Sequence, residues 1–158
     1  MVTHVFTDGA CKGNNQKDES KRRASWAAVF VGEHKGLTNS AKMEHGDKLT
    51  NNAAELKAIH YALTMTKEHH LKQVHIHTDS ELSLKCLTQY AHQWKKNGWK
   101  KRDGPIKNLQ LIKDCYAILQ ELGPEAVKIS WTKGHSKLET FEAMGNRTAD
   151  ELANKALL

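Results

Sequence analysis

The stretch from His75 to Lys101, HIHTDSELSLKCLTQYAHQWKKNGWKK, limits the fold more than any other part of the chain. Val74, Ile76 and Thr78 alternate with His75 and His77, the period of a short strand. Asp79-Ser80 follows at the strand's end, where a helix N-cap would sit. Leu82, Cys86 and Tyr90, with the Leu84/Leu87 pair, then recur at helical spacings. The helix runs into positive charge interleaved with indoles: Trp94, Lys95, Lys96, Trp99, Lys100, Lys101 and Arg102. A carboxylate at a strand tip, with a basic aromatic segment one helix away, suggests chemistry on a phosphodiester. The remaining chain has to supply further carboxylates.

Met1 to Thr7 alternates as a strand, and TDGACKGNN then places Asp8 at its end before glycines that permit a turn. Lys17 to Arg23 reads as a charged connector. Ser25 to Val31, SWAAVFV, is a buried strand, and Gly36 to Glu44 forms a third, giving the sheet an antiparallel start. In the next segment Ala54, Leu56, Ile59, Ala62, Leu63 and Met65 keep helical spacing behind Thr50 to Asn52 as caps, so Glu55 falls in the first turn. After the His75–Lys101 stretch, Gly104-Pro105 breaks the chain and Ile106 to Leu122 forms an amphipathic helix stopped by Gly123-Pro124. Val127 to Trp131 is the last strand. Thr132 to Arg147 reads as a long polar loop holding His135, and Thr148 to Leu158 as a closing helix with Asp150 in its first turn. Three strands, a helix, a strand, two helices, a strand and a helix make an α/β sheet with helices packed on it.

Each acid has an ordinary structural explanation. Asp8-Gly9 is a common hairpin pair, Asn52 and Glu55 have capping-box spacing, and Asp150 suits a helix dipole. Together they say more. Two acids at strand ends and two opening helices converge on one crevice of an open α/β sheet. Four gathered carboxylates repel one another unless cations lie between them, and hard oxygen ligands select Mg²⁺ or Mn²⁺. Two such ions, about 4 Å apart, can activate water and stabilise the leaving oxygen of a phosphodiester.

At these residues the chain resembles a type 1 ribonuclease H. The matching segments are TDGACKGN around Asp8, TNNAAEL around Glu55, HTDS around Asp79, WTKGHS around His135 and NRTADELA around Asp150; WKKNGWKK is similar to the basic protrusion of bacterial and eukaryotic members. The resemblance implies a ribonuclease H-like fold over residues 1–158 as one catalytic domain. Its sheet would be mixed and five-stranded, three antiparallel strands then parallel ones, with helices on its faces. It also implies endonucleolytic hydrolysis of the RNA strand of RNA–DNA hybrids, leaving 5′-phosphate and 3′-hydroxyl ends. Asp8, Glu55, Asp79 and Asp150 would ligate two Mg²⁺ ions, with Mn²⁺ as a substitute, and His135 would assist proton transfer or product departure.

The same resemblance assigns substrate contacts. Asn14, Asn51 and Asn52 would reach the RNA strand in the minor groove, where 2′-hydroxyls distinguish RNA from DNA. Lys48, Thr50 and Asn108 would hold a DNA phosphate. Leu82, Tyr90 and Trp94 would floor the DNA strand, core packing being the other reading of Leu82. Lys95, Lys96, Trp99, Lys100, Lys101 and Arg102 would form the basic protrusion, its charges adding salt-sensitive phosphate attraction. The His135–Asp150 stretch and the 15–24 connector look longer than in common relatives.

The net charge of +6 and pI of about 9.2 agree with a polyanionic partner. Cys11, Cys86 and Cys115 lack paired spacing and read as reduced thiols, which with a strand-like N-terminus suggests an intracellular, cytoplasmic protein; nuclear and viral settings also fit. No bilayer-spanning run is visible, and a monomer with no obligate protein partner is expected. The alternatives are an inactive hybrid-binding module, which loss of an acid would favour, and a retroviral-type ribonuclease H domain of a polymerase with identical chemistry. Transposase, integrase and junction-resolvase relatives share the fold, but the TNN segment and the protrusion match hybrid readers.

Overall fold

The computed structural model describes residues 1–13, 22–44 and 48–158. Five strands form one sheet: β1 (Thr3–Lys12), β2 (Arg23–Phe30), β3 (Asn39–Lys42), β4 (Val74–Thr78) and β5 (Val127–Trp131), in the order β3-β2-β1-β4-β5. The β1–β2 and β2–β3 pairs are antiparallel, whereas β4 pairs parallel with both β1 and β5. The expected mixed sheet is therefore present. Helix α1 (Asn51–Glu68) follows β3, and α2 (Glu81–Lys85), a π-helical turn (Cys86–Tyr90) and α3 (Ala91–Lys96) follow β4. Helix α4 (Leu109–Leu122) precedes β5, and α5 (Phe141–Ala156) ends the fold.

Alternation along β1 sends residues to opposite faces. Val5 joins Val74, Ile76, Leu56, Ile59 and Leu63 in the main core under α1, which α4 extends through Ile112 and Cys115. Phe6 and Ala10 face α5. A Cβ on Gly145 would collide with the Phe6 ring, so glycine lets α5 lie directly on the sheet. Ala10, Ala27, Ala153 and Leu157 close a second, smaller cluster, and the Ser25 hydroxyl donates to the Ala153 carbonyl at 2.5 Å. On the opposite side Gly9 has the same function: a Cβ there would lie 2.7 Å from the Ala54 Cβ and 2.8 Å from the Glu55 nitrogen.

Four local expectations are corrected. Strand β1 does not end at Asp8; it continues to Lys12, and the turn begins at Gly13 with φ of 73°. Asp8 is instead paired with Ala27 within the sheet. Thr50 caps α1 by accepting from the Ala53 N–H, which places Glu55 beyond the first turn and removes the capping-box reading. Helix α5 starts at Phe141, capped by Thr140, so Asp150 lies in mid-helix and the loop before it is short. Polar residues and Gly145 give its first two turns the look of a loop. The third strand is only Asn39–Lys42, because a 3₁₀ turn occupies Gly32–Leu37. No helix among the described residues is long and apolar enough to cross a membrane.

Candidate active site

The parallel register pairs Thr7 with Thr78, so Asp8 on β1 and Asp79 just beyond β4 are adjacent. Helix α1 crosses this edge over Gly9 and brings in Glu55. One carboxylate oxygen from each of Asp8, Glu55 and Asp79 lies within 4.8 Å of the others. The Gly9 N–H donates to Asp8 Oδ1 at 2.9 Å and to Glu55 Oε1 at 3.1 Å, tying the two acids through one backbone donor. Asp150 on α5 neighbours Asp8 and adds to the rise of its pKa. Asp8, Glu55 and Asp79 thus meet, with Asp150 beside Asp8, and Asp8, Glu55 and Asp150 do so from positions other than those expected.

Burial dominates their electrostatics. Asp8 is 3% exposed and Glu55 8%. Burial raises the Asp8 pKa to about 8, with Asp79 and Asp150 adding to the rise and Glu55 and the Gly9 N–H opposing it. Glu55 is also pushed well above the carboxylate range, first by burial, then by the charges of Asp8 and Asp79. Its Oε2 is buried without a hydrogen-bond partner. Buried acids in this state hold protons or cations. The donor set is all oxygen, so it fits a hard divalent ion better than zinc.

The loop after β5 closes the other side. The Trp131 indole N–H donates to the Asp79 carbonyl at 3.3 Å, and a Cβ on Gly134 would lie 2.8 Å from Asp79 Oδ2. His135, the next residue, is exposed and has φ of 54°. Its backbone is therefore directed by a glycine packed on an acid. Gly9, Trp131 and Gly134 were missed as site residues; the short glycine-containing motifs around the acids were the signal.

A groove of about 310 Å³ runs from Asn52 along Leu82, Tyr90 and Trp94 to Asn108, with Ser83, Lys101 and Lys107 also on its walls. Leu82 is 47% exposed, which discards the core-packing reading. Asn108, at φ of 58°, turns the chain into α4. Asn51 and Lys48 are exposed, and Thr50 uses its hydroxyl to cap α1; neither Lys48 nor Thr50 lines the groove. Asn14 and most of the 15–24 connector lie outside the described residues. In the protrusion, Lys95, Lys96, Lys100, Lys101 and Arg102 are exposed. Trp99 differs: its ring packs edge-on to Tyr116 at 5.8 Å, with Lys113 5.7 Å from it, so it anchors the segment to α4.

The sequence model of the RNase H family matches residues 2–158. A ribonuclease H of Novosphingobium aromaticivorans is 36% identical over 157 residues, covering 98% of this chain and 95% of the relative. One of Escherichia coli O139:H28 is 35% identical over 155 residues, covering 98% and 88%. In fold, the chain is similar to LC9-RNase H1, described as a type 1 RNase H with the type 2 active-site motif (TM-score 0.77, 22% identity, 99% of this chain and 72% of that one). It is also similar to foamy viral protease-reverse transcriptase in complex with RNA/DNA hybrid (TM-score 0.75, 20% identity), matching 98% of this chain but 20% of that one. With a whole-chain family match and relatives above 30% identity, the chain belongs to the ribonuclease H family of hydrolytic nucleases.

Proposed function

We propose that this protein is a single-domain endoribonuclease that hydrolyses the RNA strand of RNA–DNA hybrids, leaving 5′-phosphate and 3′-hydroxyl ends. The observation that carries the reading is the convergence of Asp8, Glu55 and Asp79 within 4.8 Å around an unpartnered buried Glu55 oxygen. Asp8, Glu55, Asp79 and Asp150 would hold two divalent ions, Mg²⁺ by preference. Those ions, when bound, supply an activated water and charge neutralisation at the leaving oxygen. Asp8 and Asp79 lie nearest the scissile phosphate, fixed by Gly9 and by the Trp131 and Gly134 contacts. His135, exposed on its loop, moves a proton or assists product departure.

The groove from Asn52 to Asn108 gives the substrate its bed. Asn51 and Asn52, exposed at the start of α1, meet the RNA strand in the minor groove, where the 2′-hydroxyl offers both a donor and an acceptor. Leu82, Tyr90 and Trp94 support the sugars of the DNA strand; Tyr90 and Trp94, ring centroids 5.6 Å apart, form a joint apolar surface. Lys48, Thr50 and Asn108 take a DNA phosphate, and the protrusion adds attraction along the backbone. Presence of all four acids speaks against an inactive binding module. Whole-chain identity of 36% to a bacterial ribonuclease H favours the cellular type over a polymerase domain.

The test is cleavage of one labelled RNA strand presented alone, in an RNA duplex and paired to DNA, with Mg²⁺ or with EDTA. The expected result is metal-dependent cutting confined to the hybrid, with 5′-phosphate products. Tight hybrid binding without cutting in either Mg²⁺ or Mn²⁺ would move the protein to the binding class.

A further inference from the structure

A second cluster of titratable groups lies on the same two catalytic strands. His4 of β1 is in register with His75 of β4, and Phe6 with His77, so all four side chains share the face covered by α5. One ring nitrogen from each of His4, His75 and His77 lies within 4.8 Å of the others. The three imidazoles stack closely, His75 on His77 with centroids 4.0 Å apart and His4 on His77 at 5.1 Å, under the edge of Phe141. The protein's own hydrogen bonds do not complete this cluster. His4 Nδ1 and His77 Nε2 share one proton at 2.9 Å, and His75 Nε2 meets the Ser130 hydroxyl at 2.6 Å. His77 Nδ1 is buried with no partner, in a side chain that is 4% exposed.

We propose that His4, His75 and His77 form a site for one borderline transition-metal ion of the Zn²⁺ class, separate from the carboxylate centre. Neutral imidazole is the ligand such ions select and Mg²⁺ avoids. Burial favours the neutral ring of His75, so its lone pair is available. Zinc–nitrogen bonds of about 2.0–2.1 Å need ring nitrogens roughly 3.3 Å apart, within reach of the present spacing. His4 and His75 are only half-buried, giving the ion an approach and the rings freedom about their soft terminal torsions. Glu142 adds negative potential at His75, and Lys128 opposes the cation there. The site clamps β1 to β4, with His4 four residues before Asp8 and His77 two residues before Asp79.

The test is calorimetric titration of the intact, EDTA-stripped protein with Zn²⁺ in excess Mg²⁺, beside a His4→Gln/His75→Gln variant and an Asp8→Asn/Asp79→Asn variant. Both replaced histidines are half-buried, which limits damage to the fold. The expected result is one tight Zn²⁺ per chain, kept in the acid variant and weakened about 100-fold or more in the histidine variant. Zn²⁺ should also raise the melting temperature of the parent and not of the histidine variant. Independently of any variant, Co²⁺ bound to the parent should give the strong visible absorption of a nitrogen-ligated tetrahedral ion. Equal Zn²⁺ affinity in the histidine variant, loss confined to the acid variant, or only weak octahedral Co²⁺ absorption would overturn the proposal.

Discussion

Two clusters of three titratable groups meet at β1 and β4, one of them completed by Glu55 of α1, each with ligand atoms within 4.8 Å, yet burial acts on them in opposite ways. In the acid cluster, burial raises Asp8 to about 8, and the mutual repulsion of the carboxylates adds to it. In the histidine cluster, burial lowers His77 to about 4, and His75 and His4 lower it further. Asp8 and His77 are both pushed toward the neutral form, but at pH 7 that costs the histidine little and the acid a great deal, because their usual pKa values lie near 6.5 and 4. Cations are therefore demanded at one cluster and only accommodated at the other. A pocket that destabilises its own carboxylates has reserved them for ions.

The sharpest way to break this contrast is Asp79→Asn, which removes a charge from the acid cluster without emptying a core. Mg²⁺-dependent cleavage should fall on the order of 10³-fold or more, with folding and hybrid affinity kept; several kcal/mol of transition-state stabilisation is at stake. Near-parent turnover would remove Asp79 from the site. Gly9→Ala attacks the support instead. Its Cβ would press on Ala54 and the Glu55 backbone, and denaturant unfolding should show a loss of about 1–3 kcal/mol, together with reduced cleavage as Glu55 shifts. Unchanged stability would mean that α1 is not held at the spacing described.

A third prediction uses the direction of the pKa shifts. Folded Asp8 keeps its proton to about pH 8, whereas the unfolded chain loses it near 3.8, so between those values the native state binds more protons. Metal-free stability must then fall as pH rises through that window. Asp8→Asn should be more stable than the parent at pH 8, by up to a few kcal/mol, with the gap closing toward pH 4. Thermal melts across that range check the sign, and a gap that widens toward acid would refute it. His77 works the other way. Its depressed pKa costs stability only as pH falls below about 6.5, toward its folded value near 4.

The smallest effect per residue belongs to the exposed charges. Replacing Lys95, Lys96, Lys100 and Lys101 with Gln should weaken hybrid binding and reduce the salt slope by up to about 0.9 for each phosphate no longer neutralised. An identical slope would remove the protrusion from substrate binding. Screened lysines and buried acids thus separate cleanly: the first change affinity with salt, the second change turnover with metal.

The strands, the antiparallel start of the sheet and the core face of α1 were legible because alternation and helical spacing are local signals, whereas the mixed sheet and the grouping of the four acids were expected from the resemblance to ribonuclease H. What the residues concealed was position. Glu55 looked like a capping partner for Asn52, but Thr50 takes the cap and Glu55 turns to Gly9. Asp150 looked like a helix opener because Gly145, which serves close packing on Phe6, resembles a loop glycine. His77 looked like the polar half of a half-exposed strand, yet α5 covers it. That α5 closes over this face depends on contacts between distant segments, which no local periodicity encodes.

The most direct measurement is Mg²⁺ titration of the metal-free protein at pH 7, by calorimetry in buffers of different ionisation heat, which counts protons released. If the acid cluster is held protonated until ions enter, binding should release about one proton or more per chain, and Asp8→Asn should lower that number. Mg²⁺ binding with no proton released, or with the same release in Asp8→Asn, would contradict the claim that these carboxylates are reserved for metal.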